Sequence, residues 1–307
     1  MALGNSNWLA VNGGWMTNDA NGKSVGNWVP EVFSKKMQAK FYASSILPQV
    51  SNSEYQGEIS GQGSKVVIRT VPAISISNYT GTVSYTDPQS DKVELVIDKA
   101  KSFAFRVDDV LKAQADVDFW TAASKDAAEN MRIAVEQDFL GNIAAGSSLT
   151  DITVGTVGVT PAKPTGNGLL TAILQAGRVL DENNIPETDR FVVLGPQQIE
   201  LLKDSDLKLA YLTGDGQSTL RSGKVGTIDR FTVYWSNNLS KYTAGGNNGG
   251  RSCLVGHKKF ACFASQFVKT ETVRLETTFG DGVRGLKVYG YKVIVPTAGL
   301  EMIVAES

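Results

Sequence analysis

Residues 108–146 read DDVLKAQADVDFWTAASKDAAENMRIAVEQDFLGNIAAG, with no proline and no glycine before Gly141. Val110, Ala113, Val117, Trp120, Ala127, Met131, Val135 and Phe139 recur at three- and four-residue steps, the spacing of one helix face. Asp108 and Asp109 stand where a start cap and a negative first turn are favoured. Glu129 with Arg132, and Arg132 with Glu136, are i,i+3 and i,i+4 partners expected on the exposed side. Gly141 and Gly146 mark the end. About 30 helical residues would span roughly 45–50 Å. The apolar stripe is one-sided and too interrupted for a sustained coiled coil. Such a rod, carried by a mostly β chain, is a structural device before it is a chemical one.

On either side of this rod the texture changes. Residues 1–28 scatter Trp8, Trp15 and Trp28 among glycines and asparagines. Such an arm either frays or orders by laying its aromatics on a neighbouring subunit. Residues 29–46 predict a short helix, with Pro30 in its first turn and Pro48 beyond its end. Val29, Phe33, Met37 and Phe41 form its apolar face. Lys35, Lys36 and Lys40 read as a solvated face or as a nucleic-acid or partner contact. Residues 52–91 alternate apolar and small polar residues between Gly, Pro and Ser punctuation, as in a long two-stranded projection. Val93, Leu95, Ile97, Phe103, Phe105 and Val107 then fall on one strand face, which Lys99 and Lys101 interrupt at a bend or exposed segment.

Beyond a Ser/Thr/Gly/Pro-rich boundary at 147–168 the chain reads as α/β. Helices are expected at 169–183 and from Pro196, and strands at 191–194 and 231–235. Glycine-rich or polar loops occupy 213–226 and 237–251. The tail is β again, at 254–255, 268–276 and 286–295, turning at Gly280-Asp281-Gly282. β segments thus flank the α/β part on both sides, which suggests two lobes joined by two chain crossings.

Composition excludes several classes of function. The 307 residues carry 30 Lys plus Arg against 31 Asp plus Glu, so the whole chain is no polycation. Two cysteines are too few for a disulfide framework and suit a reducing compartment. No run of about 18 apolar residues is present, so no membrane span is expected, and no signal peptide is visible at the N-terminus. Gly216 to Val225 lacks the spacing of a phosphate-binding loop, and no dinucleotide fingerprint follows a strand. His257 is the only histidine. With Cys253 and Cys262 it makes no standard zinc pattern, so these read as core cysteines and a surface histidine. The pairs Asp108/Asp109, Asp116/Asp118 and Asp204/Asp206 lack convergent partners. No catalytic residue, metal ligand or cofactor is therefore assigned.

The order of parts resembles the major capsid proteins of tailed double-stranded DNA phages, the Hong Kong 97-type fold. The stretches DRFVVLGPQQIELL (189–202), VGTIDRFTVYWSNNL (225–239) and VRLETTFGDGVRGLKVYGYKVIVP (273–296) are similar to that family's axial segments and closing strands. The resemblance implies an α+β fold with an N-terminal arm (1–28), a short helix (29–51) and an extended β-hairpin loop (52–91). It further implies a peripheral domain (92–165 and 268–292) with a spine helix (108–141), and an α/β axial domain (166–267 and 293–307). It implies a non-enzymatic protein that self-assembles into pentamers and hexamers of an icosahedral shell around double-stranded DNA. Trp8, Trp15, Trp28, Lys65, Arg69, Tyr79 and Tyr85, on the arm and the projection, are its candidate inter-subunit contacts. Implied partners are copies of itself, a scaffolding protein, the portal vertex, a decoration protein and DNA in non-specific contact, with no membrane. Met1 at the start of the arm favours separate scaffolding. Assembly in host cytoplasm and residence in the virion capsid follow. An encapsulin-like nanocompartment shell is the alternative, and an α/β hydrolase or kinase a third reading. The loops at 213–226 and 237–251 are candidates for the capsomer centre.

Overall fold

A computed structural model describes residues 40, 42–55, 65–72, 74–76, 78–79, 81, 85, 87–88, 90–109, 119–157, 162–205, 226–242, 249–276 and 279–306. In chain order these form α1 (Leu47–Val50), β1 (Lys65–Arg69), β2 (Lys92–Val96), β3 (Lys99–Asp108), α2 (Phe119–Asn142) and β4 (Ile152–Val154). Then come α3 (Gly166–Glu182), β5 (Arg190–Leu194), α4 (Pro196–Lys203), β6 (Thr227–Ile228), β7 (Phe231–Trp235) and β8 (Lys241–Tyr242). The chain closes with β9 (Gly250–His257), β10 (Ala261–Arg274), β11 (Gly280–Val293) and β12 (Gly299–Ala305).

The strands assemble into three sheets. The alternating stretch after 91 divides at Ile97 and Asp98 into β2 and β3. β3 pairs antiparallel with β11, and β11 with β10, in a three-stranded sheet of order β10-β11-β3. β1 and β2 form a separate antiparallel ladder, from Lys65 opposite Val96 to Arg69 opposite Lys92. A seven-stranded sheet runs β4-β12-β9-β5-β7-β6, with β8 beside β9. Its β5 is buried at every residue, as a central strand covered on both faces must be.

Helices fill the faces of these sheets where their apolar spacing permits. Thr165 caps α3, its hydroxyl accepting from Gly168 N–H at 3.1 Å. Pro196 opens α4. On α2 the predicted stripe buries Val135 and Phe139, which join Leu140 and Ile143 in the main core. The Phe139 ring meets Phe263 and Tyr291 edge-on, at centroid distances of 6.2 and 5.4 Å. One helix thus binds the three-stranded sheet to the core that the seven-stranded sheet dominates.

Several expectations differ from the structure. Asp108 both ends β3 and directly precedes a helical residue, Asp109, whose N–H donates to the Phe279 carbonyl at 3.2 Å. Val110, Ala113 and Val117 lie outside the described residues. So do residues 1–39, with the arm and most of the predicted 29–46 helix. Residues 42–46 are not helical, and Pro48 sits within the first turn of α1 rather than beyond a helix end. The return arm of the projection is β2, just past the expected limit at 91. β4 pairs in parallel with β12 in the seven-stranded sheet, away from the rest of 92–165. β10 begins at Ala261, so residues 261–267 already run in the three-stranded sheet. Gly280, Asp281 and Gly282, expected as a turn, lie within β11, with Asp281 opposite Arg274 and Gly282 opposite Val273.

Gly280, Gly285 and Gly290 of β11 stand at close approaches instead. A Cβ at Gly290 would stand 2.1 Å from the Val96 carbonyl oxygen and 2.9 Å from Ile97 Cα. Only glycine lets β11 pass the point where the projection leaves the body. Gly290→Ala is expected to lower stability by about 1–3 kcal/mol in denaturant titrations. An unchanged midpoint would show that β2 yields freely.

Candidate assembly interface

The junction between the sheets is built from acidic residues of α2. Glu136 is fully buried and its carboxylate accepts three hydrogen bonds. One comes from Ile46 N–H at 3.0 Å, one from the Ser236 hydroxyl at 3.0 Å and one from the Asn238 amide at 3.1 Å. The donors come from two pieces of chain far apart in sequence: the residue that enters α1, and the turn after β7, where Asn238 N–H also donates to the Ser236 hydroxyl at 3.1 Å. Sequence spacing places Glu136 on the exposed face beside Arg132, but Arg132 pairs with Glu129 at 2.6 Å instead.

One helical turn-half further on, Asp138 accepts from Lys99 Nζ and from the Tyr289 hydroxyl, each at 3.0 Å. Lys99 also donates to the Tyr291 hydroxyl, which itself donates to the Asp138 carbonyl at 3.0 Å. Lys99 is therefore no mere bend residue. Burial opposes the charge on Asp138, yet the donors from Lys99 and Tyr289 outweigh it and hold the carboxyl below its usual range. A third contact, nearer the start of α2, has Asp126 accepting from Lys40 and from the Tyr42 hydroxyl at 2.8 Å. Lys40 thus meets an acidic partner within its own chain.

The projection has no comparable cover. Lys65 pairs with Glu94 across the β1–β2 ladder at 3.1 Å, and Arg69 lies exposed at its far end. Beyond it Val71 is 93% exposed, Ile76 99% and Tyr85 94%, with Ile74 and Tyr79 also exposed. The Tyr79 hydroxyl reaches only the Gly81 carbonyl, at 3.3 Å. Large apolar side chains gathered on one exposed segment mark a surface that expects a partner. Trp8, Trp15 and Trp28 lie outside the described residues, as do 213–225 and 243–248 of the two candidate loops.

The two cysteines and the one histidine of the sequence are all buried. Cys253 and Cys262 are buried and free, and burial pushes their thiols up to about 12 and about 11. His257 is 5% exposed, not on the surface as expected; burial pushes its pKa down, and its Nδ1 accepts from Lys259 N–H at 3.0 Å. Among the described residues no three His, Cys, Asp or Glu side chains are grouped to hold a metal. Among the same residues no helix is long and apolar enough to cross a membrane.

A family model described as phage capsid protein matches residues 92–301, more than half of the chain. The chain belongs to the phage capsid protein family. Its fold is that of a chain from Mycobacterium phage Che8, with a TM-score of 0.77 and 25% identity over 90% of this chain and 97% of that one. The capsid of cyanophage P-SCSP1u matches with a TM-score of 0.77 and 19% identity, covering 93% and 96% of the two chains. The capsid of Ralstonia phage GP4 follows at 0.65 and 11%, covering 91% and 96%. No curated protein sequence matches significantly. The fold is thus of the Hong Kong 97 type, and the protein is a structural component of a phage capsid shell. These matches take the place of the nanocompartment alternative.

Two outcomes follow from the junction. Glu136→Ala would strand three buried donors and is expected to cost about 3–5 kcal/mol, read as a drop in unfolding free energy; a loss below about 1 kcal/mol would show that Glu136 is not a tie. Asp138 has a folded pKa below its unfolded value, so its stabilisation is full above the ordinary carboxyl range and disappears as pH falls through the folded value. The melting temperature of the wild type should therefore fall more steeply than that of Asp138→Asn as pH drops from 5 toward 3. Parallel curves would remove Asp138 from the junction.

Proposed function

We propose that this chain self-assembles into pentamers and hexamers of an icosahedral shell around double-stranded DNA, with no catalytic role. The observation that carries this reading is the exposure of Val71, Ile74, Ile76, Tyr79 and Tyr85 in the single chain. Burying each such side chain on a neighbour is worth about 1.5–3 kcal/mol before ordering costs. Weak contacts of that size suffice, because shell closure repeats them through multivalency. Lys65, Arg69, Tyr79 and Tyr85 sit along this projection as inter-subunit contacts, and the arm with Trp8, Trp15 and Trp28 adds a second strap. Shape change during maturation is then a rigid-body movement around α2, whose buried ties keep the frame whole.

The partners of this process are copies of the same chain, a scaffolding protein, the portal vertex and a decoration protein. Near-neutral net charge fits DNA that is held in non-specific contact, with little contribution from basic surfaces. Assembly takes place in host cytoplasm. Removing residues 1–28 is expected to leave a soluble, folded protein that forms no closed shells, while Ile76→Asp leaves the fold intact and reduces sedimenting particles at least tenfold. Normal particles from both variants would overturn the roles of arm and projection.

A further inference from the structure

Strands β9 to β12 cross twice between the seven-stranded and the three-stranded sheet. β9 leads into β10 through a short turn at Lys258–Phe260, and β11 leads into β12 through another at Pro296–Ala298. The two crossings are tied together. The Phe260 carbonyl accepts from Ile294 N–H at 2.9 Å, and a Cβ at Gly299 would stand 2.6 Å from the Phe260 ring.

Two hydrogen bonds hold the first turn to the larger sheet. Lys258 N–H donates to the Asp189 carbonyl at 3.1 Å. His257 caps the turn, its Nδ1 accepting from Lys259 N–H at 3.0 Å. A ring nitrogen that accepts carries no proton, so the neutral ring holds its proton on Nε2. A second proton would set an N–H of the ring against the N–H of Lys259, and the cap cannot survive that.

Charge around the ring resists this proton. Arg190, opposite His257 in the β5–β9 register, is a fully buried permanent cation. Its Nη1 has no hydrogen-bond partner among the described residues, and its carboxylate partner Asp181 is shared with Arg230. Lys258 and Lys259 stand in the turn itself, and residues 294–299 of the second crossing carry no charge. Burial, aided by Lys259 and Arg190, outweighs the attraction of Asp189 and holds the ring's pKa below its ordinary range. With the folded value below the unfolded one, this part of the stability is full above about pH 6.5 and is lost as pH falls through the folded value. The loss begins well above the range in which Asp138 gives way.

We propose that the crossing from β9 to β10 is an acid-sensitive hinge. A proton taken up by His257 releases Lys259 N–H, the turn at Lys258–Phe260 loosens, and its hold on Ile294 in the second crossing goes with it. An open pocket of about 300 Å³ beside the turn, walled by Gln49, Asp189, Thr232, Tyr234 and Lys258, gives it room. The Glu136 bonds to Ile46, Ser236 and Asn238 remain, so the lobes stay joined while the crossings move. On the reading that copies build a shell, one pH change reaches the same hinge in every copy.

Hydrogen exchange on the full-length, unassembled chain tests this, with intrinsic rates corrected for pH. Between about pH 7.5 and 5 the Lys259 and Ile294 amides should lose about tenfold in protection, while the Ile46 amide keeps its own. His257→Asn supplies an acceptor that does not titrate, so its Lys259 and Ile294 amides should stay protected over the same range. Loss at Lys259 alone would reduce the effect to a local cap and overturn the hinge. Equal loss in the wild type and His257→Asn, or none in the wild type, would overturn it as well. If His257→Asn does not fold, nuclear magnetic resonance of the wild type decides, because His257 is the only histidine. Its titration should share one midpoint with shifts of the Lys259 and Ile294 amides. A titration that leaves either amide unmoved would overturn the proposal.

Discussion

Everything in the frame converges on the buried carboxylate of Glu136. A charge taken out of water is tolerated only when its lone pairs are satisfied. Here Ile46 supplies one donor and the Ser236–Asn238 turn two, from stretches far apart in the chain. Moving the three-stranded sheet relative to the seven-stranded one would break this set, because α2 belongs to both. Two residues later, Asp138 repeats the arrangement toward β3 and β11 through Lys99, Tyr289 and Tyr291. The apolar packing of Phe139 between them makes the joint dry. Polar ties at a dry joint give one geometry instead of a range, which a part repeated many times in a closed shell requires.

The projection obeys the opposite rule. Its ladder of five residue pairs is held across by one exposed ion pair, worth little by itself. Beyond the ladder, apolar residues that any core would accept are left in water. A hairpin of this kind is marginal alone. The division has a physical purpose: contacts within one chain fix the shape, and contacts withheld from it are available for neighbours.

How much of this could be read from the residues depended on whether the signal was periodic. The stripe through Val135 and Phe139, the strand at 231–235 and the proline-opened helix at 196 follow from spacing and punctuation. Glu136 does not, since an i,i+4 partner to Arg132 looks the same on paper whether the face meets water or a second lobe. Lys99 and Asp138 are 39 residues apart, and no local pattern joins them. Gly280 and Gly282 imitate a turn, yet both are paired within β11, and Gly280 is there for close approach; its Cβ site lies 2.7 Å from the Val107 carbonyl oxygen. β4 is three residues long, too short to display alternation, and only its pairing with β12 assigns it to the larger sheet. Burial of His257 depends on the strand register opposite Arg190, which one sequence does not reveal.

Hydrogen exchange measured on the single protein and on assembled shells tests the division between a fixed frame and a withheld surface most directly. Amides at 46 and 236–238 should be protected equally in both states, while those of 65–96 exchange quickly in the free chain and become protected in the shell. A projection that exchanges alike in both states, or a loss of protection at Ile46 on assembly, would contradict the account.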